Sequence, residues 1–254
     1  MSTIRSTSRR APATDRFSWR DRGLLLVGHG SERCIGPNKQ LLEQAAQLRA
    51  SGKFGSVEAA VLYGAPSLDQ AMARFGEQPV HVVPMFMCDG IFTRRIIPEK
   101  IEQICPKGQY VSYERPIGLS SGMVNLISRR IRRAVTGDGF LDADVTVLIV
   151  GHGSTASDAS FRTTERHAKD LRAKCVFRSV ETAYLDQPPH IGKVLPSLRG
   201  RIYVVGLFAA EGSHAQDDVP EAIGQAPNRN NIRYLGPIGA DADMIDLVVE
   251  QLGI

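Results

Sequence analysis

The segment Leu24-Leu25-Leu26-Val27-Gly28-His29-Gly30-Ser31 returns as Val147-Leu148-Ile149-Val150-Gly151-His152-Gly153-Ser154, an offset of 123 residues. Val57-Glu58-Ala59-Ala60-Val61-Leu62 maps onto Val180-Glu181-Thr182-Ala183-Tyr184-Leu185 at the same offset, and Pro98-Glu99-Lys100-Ile101 onto Pro220-Glu221-Ala222-Ile223 at 122. Tyr113 to Gly118 maps onto Tyr234 to Gly239 at 121. Four matches in one order make the chain a tandem duplication, and a repeat of this length is one structural unit written twice. The copies are residues 23–135 and 144–254, joined by 136–143 and preceded by a tail of residues 1–22.

Within each copy, apolar runs alternate with amphipathic stretches, the succession that builds a parallel sheet covered by helices. Strands are expected at 24–28, 57–62, 80–86 and 110–113, then at 146–150, 178–184, 201–208 and 232–235. Helices are expected at 38–50, 67–75, 123–134, 162–173 and 242–252. Runs such as Leu24 to Val27 are apolar on both faces, which suits a central parallel strand. The expected fold class is α/β, with two tandem doubly wound, flavodoxin-like halves of four parallel strands each.

The net charge of +4 is weighted towards the tail, where Arg5, Arg9, Arg10, Arg16, Arg20 and Arg22 lie among Ser and Thr. That composition reads as a disordered segment in preference to a transit-like peptide or an anion-binding arm. No apolar run reaches the length of a bilayer-crossing helix and no secretory signal opens the chain, so a soluble cytoplasmic protein without membrane or nucleic-acid partners is expected, monomeric or a weak homodimer. Cys34, Cys88, Cys105 and Cys175 are too scattered for a zinc ribbon or an iron–sulfur motif and read as reduced, buried thiols.

In open α/β sheets ligands bind beyond the carboxyl ends of the strands. The second copy sets His152 after its first strand, Glu181 within or at the end of its second, and Glu211-Gly212-Ser213-His214 after its third. Two imidazoles and a carboxylate suit a borderline divalent metal and can also take up protons. Singly, each residue reads as structural; together, His152, Glu181 and His214 form a candidate metal and catalytic set. The first copy keeps His29 and Glu58 but has Phe92 in place of the second His, so its site is degenerate and its role is that of a wall, lid or substrate platform. Arg94 and Arg95, and the cluster from Arg129 to Arg133, are the cations available to an acidic ligand or, equally for the first pair, a solvated loop.

These motifs resemble the class II chelatases of the sirohydrochlorin cobaltochelatase type. The likeness rests on the strand followed by Gly-His-Gly-Ser in both copies, on Val-Glu-x-Ala-x-Leu, and above all on Gly212-Ser213-His214-Ala215-Gln216-Asp217-Asp218-Val219-Pro220. It implies insertion of a divalent metal into sirohydrochlorin without ATP, for cobalamin-type tetrapyrrole biosynthesis, in a long form whose two halves are fused. The metal is then a substrate, cobalt(II) favoured over iron(II) or nickel(II), held by His152, Glu181 and His214, with His214 accepting pyrrole protons. A siroheme-directed ferrochelatase and a non-catalytic tetrapyrrole or metal carrier are the alternatives. Gly151-His152-Gly153-Ser154-Thr155-Ala156 also fits a dinucleotide fingerprint, but Glu32-Arg33 breaks it in the first copy, and neither a P-loop nor a G-x-S-x-G elbow is present, so no nucleotide cofactor is expected.

Overall fold

The computed structural model describes residues 18–32 and 36–254, and its elements fall into two equivalent series. The first is β1 (Gly23–Gly30), α1 (Gly36–Ala50), β2 (Ser56–Tyr63), α2 (Leu68–Ala73), β3 (Val80–Pro84), α3 (Ile97–Ile104), β4 (Val111–Tyr113) and α4 (Met123–Gly137). The second is β5 (Val145–Gly151), α5 (Ala159–Ala173), β6 (Ser179–Tyr184), α6 (Ile191–Val194), β7 (Arg201–Gly206), α7 (Val219–Gly224), β8 (Ile232–Pro237) and α8 (Met244–Gln251). Each series forms a wholly parallel four-stranded sheet, in the order β2-β1-β3-β4 and β6-β5-β7-β8. This is the doubly wound α/β architecture expected. The sheet reverses direction of growth between β1 and β3, and between β5 and β7, which makes the carboxyl ends of those strands the crevice of each half.

The expected strands lie within two residues of the observed ones. β3 and β7 end early because Met85-Phe86 and Leu207-Phe208 leave the ladder as their loops begin. Three short helices, α3, α6 and α7, were not among those expected; Pro98 and Pro220, in the first turns of α3 and α7, are the sequence signals that mark two of them.

One core joins the halves. Leu24 and Leu26 of β1, Leu126, Ile127 and Ile131 of α4, Val147 and Ile149 of β5, and Met244, Leu247 and Val248 of α8 belong to a single buried cluster. Each such side chain contributes about 1.5–3 kcal/mol by leaving water, so burial at the seam holds the halves together. Polar contacts repeat across it under the internal symmetry. Gln44 of α1 donates to the Gly239 carbonyl at 2.8 Å, and His167 of α5 sits 2.8 Å from the Gly118 carbonyl. A Cβ at Gly118 or Gly239 would lie 2.2 or 2.1 Å from the carbonyl oxygen of Met87 or Ala209, so both turns require glycine.

Two expectations about the ends and surface change. Residues 1–17 and Cys34 lie outside the described residues, but residues 18–22 are not a tail. Trp19, in a 3-10 turn, packs on Phe54 and His81 with ring separations of 5.9 and 4.7 Å, and Arg22, 5% exposed, reaches His81 Nε2 at 3.1 Å. A large indole and a guanidinium with a buried partner are worth more on the fold than in water. Nor are the thiols buried: Cys88 and Cys105 are half-buried and Cys175 is exposed, in a left-handed turn at φ 51° after α5. Among the described residues, no helix is long and apolar enough to cross a membrane.

Candidate metal centre

His152 follows β5 directly, and Gly153, at φ 78°, turns the chain there, so the imidazole lies at the carboxyl end of a central strand. His214 opens a π-helical turn, His214–Asp218, after β7, in which the Val219 N–H donates to the His214 carbonyl five residues back. Such widened turns collect at functional sites because they reposition a side chain without ending the helix. The switch point of the second sheet therefore brings the two imidazoles together: Nε2 of His152 lies 3.0 Å from Nε2 of His214.

The other ring nitrogens are fixed by acceptors. His152 Nδ1 faces the Gly153 carbonyl at 2.9 Å and Asp186 Oδ2 at 3.2 Å, and His214 Nδ1 faces Asp218 Oδ2 at 2.6 Å. Carbonyls and carboxylates only accept, so both Nδ1 atoms carry the proton and both Nε2 lone pairs point at one spot. Two lone pairs at that distance need a positive charge between them, a proton or a metal ion. For metal–nitrogen bonds of about 2.0–2.1 Å, two cis ligands stand about 2.9–3.4 Å apart, so the observed spacing matches a pair of ligands on one ion. Both imidazoles and both carboxylates are 43–54% exposed, which leaves coordination positions open to water and a further ligand.

Glu181 does not join them. β6 lies on the far side of β5 from β7, and the ladder register sets Glu181 opposite Leu148, three pairs before the terminal Gly151–Tyr184 pair. At about 3.3 Å per residue its backbone is about 10 Å down the sheet from the end of the strand. Accordingly, no group of three or more His, Cys, Asp or Glu among the described residues is placed to hold a metal ion. Its repeat partner Glu58 is an outer ion-pair residue, 2.9 Å from Arg74 and 3.8 Å from Arg49. The acid that does reach His152 is Asp186, whose N–H donates to the His152 carbonyl at 2.9 Å as the chain leaves β6. The rule that singles out His152, the first residues beyond a strand, also points to Asp186; Asp218 stands four residues after His214, within the motif that carries the family likeness.

The first half places His29 and Phe92 as the second places its two imidazoles. Their ring centres are 5.0 Å apart at 87°, against 4.3 Å at 81° for His152 and His214. Tyr63 and Ile96 occupy the positions of Asp186 and Asp218, so the acids are lost together with the second imidazole. Tyr63, Phe86 and Phe92 instead gather round His29 at 4.9, 6.4 and 5.0 Å, an aromatic group with Tyr63 half exposed.

The arginines are largely engaged. Arg94 pairs with Asp89 at 2.8 Å and Arg95 with Glu99 at 3.8 Å, both still exposed. Arg129, Arg130 and Arg133 of α4 cross to Asp241 and Asp243, and Arg132 pairs with Asp142. That cluster, expected to meet an acidic ligand, is engaged in ion pairs, and its arginines line two surface clefts of 410 and 580 Å³.

Two doubly wound halves around one core, with a paired-imidazole centre at one of two equivalent switch points, define a chelatase-like α/β protein. The model of the CbiX family matches residues 23–134 and 146–253, and the chain belongs to that family. It is 27% identical over 90% of its length, and 89% of the relative's, to a probable sirohydrochlorin cobaltochelatase of Halobacterium salinarum. Its fold is shared with a solved CbiX described as the terminal enzyme for biosynthesis of siroheme in denitrifying bacteria, at TM-score 0.76 and 24% identity over 91% of this chain and 98% of that one. The structure of SirB from Bacillus subtilis with Fe3+ aligns at TM-score 0.75 and 19% identity over 92% and 94%.

Proposed function

We propose that this protein inserts a divalent metal into sirohydrochlorin, with cobalt(II) the favoured metal and iron(II) the runner-up. The observation that carries the reading is the 3.0 Å separation of two Nε2 atoms whose Nδ1 partners fix both lone pairs on one point. The metal sits between His152 and His214, with Asp186 and Asp218 behind the imidazoles rather than on the ion, and Glu181 is not a ligand. Water fills the remaining positions and gives way to pyrrole nitrogens. Two N–H protons leave the macrocycle as the dication enters, and the imidazoles released from the metal take them up. We assign His214 as the acceptor, its ring held through Nδ1 by Asp218 Oδ2 at 2.6 Å. The aromatic group around His29 supplies apolar ring edges and faces for contact with the macrocycle. The relative of Halobacterium salinarum supports cobalt, whereas siroheme and iron appear among the structural neighbours.

The test is direct. Mixing the protein with sirohydrochlorin and cobalt(II), iron(II) or nickel(II) should speed the absorbance change of insertion over the protein-free rate, most for cobalt. Tetrapyrrole binding without acceleration would make the protein a carrier instead.

The carboxylates should matter unequally. Losing an outer-shell partner costs about 10- to 100-fold in metal affinity. Asp218→Asn should reach that range, because Asp218 is the acceptor at His214 Nδ1, while Asp186→Asn should cost less, because the Gly153 carbonyl still holds His152 Nδ1. Cobalt titrations of both variants check the order.

A further inference from the structure

The loop that carries His214 is held from the other half of the molecule. Gln40, on α1, donates through Nε2 to the Ala209 carbonyl at 3.1 Å and the Gly239 carbonyl at 2.9 Å, and its Oε1 accepts the Glu211 N–H at 3.3 Å. Two of these three bonds land on residues 209–211, immediately before Gly212-Ser213-His214. The Ala209 end also lies against the Gly239 turn, whose N–H donates to the Phe208 carbonyl at 3.0 Å, whereas Glu211 and Ser213 are exposed, which leaves the Glu211 end to Gln40. The remaining backbone bonds described there are local: Gly212 N–H to the Ala210 carbonyl, and the Ala215 and Gln216 N–H groups to the Gly212 carbonyl, each at 3.0 Å.

We infer that Gln40 is a positioning residue for the metal centre: the half that lost its own site sets, through this one amide, where His214 stands relative to His152. The repeat supplies the contrast. The counterpart of Gln40 is Thr163, whose hydroxyl donates into its own helix at the Ala159 carbonyl, 3.0 Å away, and which is too short to span to the loop after β3. The next pair along, Gln44 and His167, is retained on both sides and serves the seam alone. From the second half Arg166 and His167 also reach across, to the Gly118 carbonyl at 3.2 and 2.8 Å, but among the described residues a bond that lands on the loop after the third strand occurs only on the side that bears the surviving imidazole. Placing a ligand pair within a few tenths of an ångström is what such supporting contacts achieve, and loosening one costs binding without touching the ligand.

The inference rests on the His152–His214 reading, and the test separates the two. Cobalt(II) alone is titrated into the wild type, Gln40→Ala, the nearly isosteric Gln40→Met, Gln44→Ala and His214→Ala, with the visible d–d band and the dissociation constant as readouts and thermal melting as a check on folding. Gln40→Ala and Gln40→Met should both weaken cobalt binding about tenfold and alter the band shape. Gln44→Ala should lose comparable stability while binding cobalt within about twofold of the wild type. Equal cobalt defects in Gln44→Ala and the Gln40 variants would overturn the inference, because packing at the seam would then account for both. If His214→Ala loses cobalt while the Gln40 variants bind like the wild type, the positioning role alone falls. Unchanged binding by His214→Ala would remove the metal-site reading beneath it.

Discussion

Replacing His214 by Ala is expected to reduce metal insertion by on the order of a thousandfold, about 4 kcal/mol of transition-state stabilisation, while the circular dichroism spectrum and melting temperature stay close to those of the wild type. The reason is geometric. His214 supplies one of two lone pairs that meet 3.0 Å apart, and no third His, Cys, Asp or Glu among the described residues stands ready to replace it. Its side chain is 43% exposed, so truncation opens little cavity. His29→Ala is the matched control, because its ring packs against Tyr63, Phe86 and Phe92 and faces no second imidazole. A modest loss there and a severe one at His214 would place the chemistry in the second half. Equal losses would mean that both halves act.

Acid is expected to destabilise the seam through His167. This imidazole is 2% exposed, and its pKa is lowered from 6.5 to about 4, first by burial and then by the neighbouring Arg166, against the opposing hydrogen bond to Gly118 and the charge of Asp170. Between those values the unfolded chain holds the proton and the folded chain does not, so stability rises with pH across the window and falls on acidification from about pH 6.5 towards 4. A shift of this size amounts to about 3 kcal/mol. The repeat suggests the variant that removes it. Gln44, the counterpart of His167, makes the same bond to Gly239 without titrating. Urea unfolding at pH 7.5 and 4.5 should therefore show His167→Gln losing about 2.5 kcal/mol less than the wild type over that interval. Identical losses in the two proteins would assign the acid sensitivity to other groups.

Most of the fold was readable because a duplicated sequence states its periodicity twice. Val57 to Leu62 and Val180 to Leu185 agree on a strand that neither would establish alone. The short helices α3, α6 and α7 escaped because four to eight residues hold too little of a 3.6-residue repeat to be distinguished from loop. The site was legible where topology alone decides it. His152 and His214 follow β5 and β7, the two strands that flank the switch point, and the chain order says as much. Glu181 was drawn in by residue type and spacing, but strand register outweighs both: a side chain three pairs from the end of a ladder belongs to the body of the sheet. Asp186 and Asp218 meet the imidazoles through side-chain contacts, and Gln40 reaches across a seam 169 residues away in sequence, so these contacts appear only once side chains are placed.

The arginine cluster carries the same lesson for charge. Arg129, Arg130 and Arg133 looked available to an acidic ligand when counted along the sequence, yet Asp241 and Asp243 from the other half meet them. A formal charge gauges what a surface offers only after its neighbours are known.

On the proposed function a single metal position survives, between His152 and His214. A crystal of the protein soaked in cobalt(II), with diffraction collected on both sides of the cobalt absorption edge, tests it most directly. One strong anomalous peak is expected about 2.1 Å from both Nε2 atoms, and none between His29 and Phe92. A peak at His29, or one that leaves His152 and His214 uncoordinated, would contradict it.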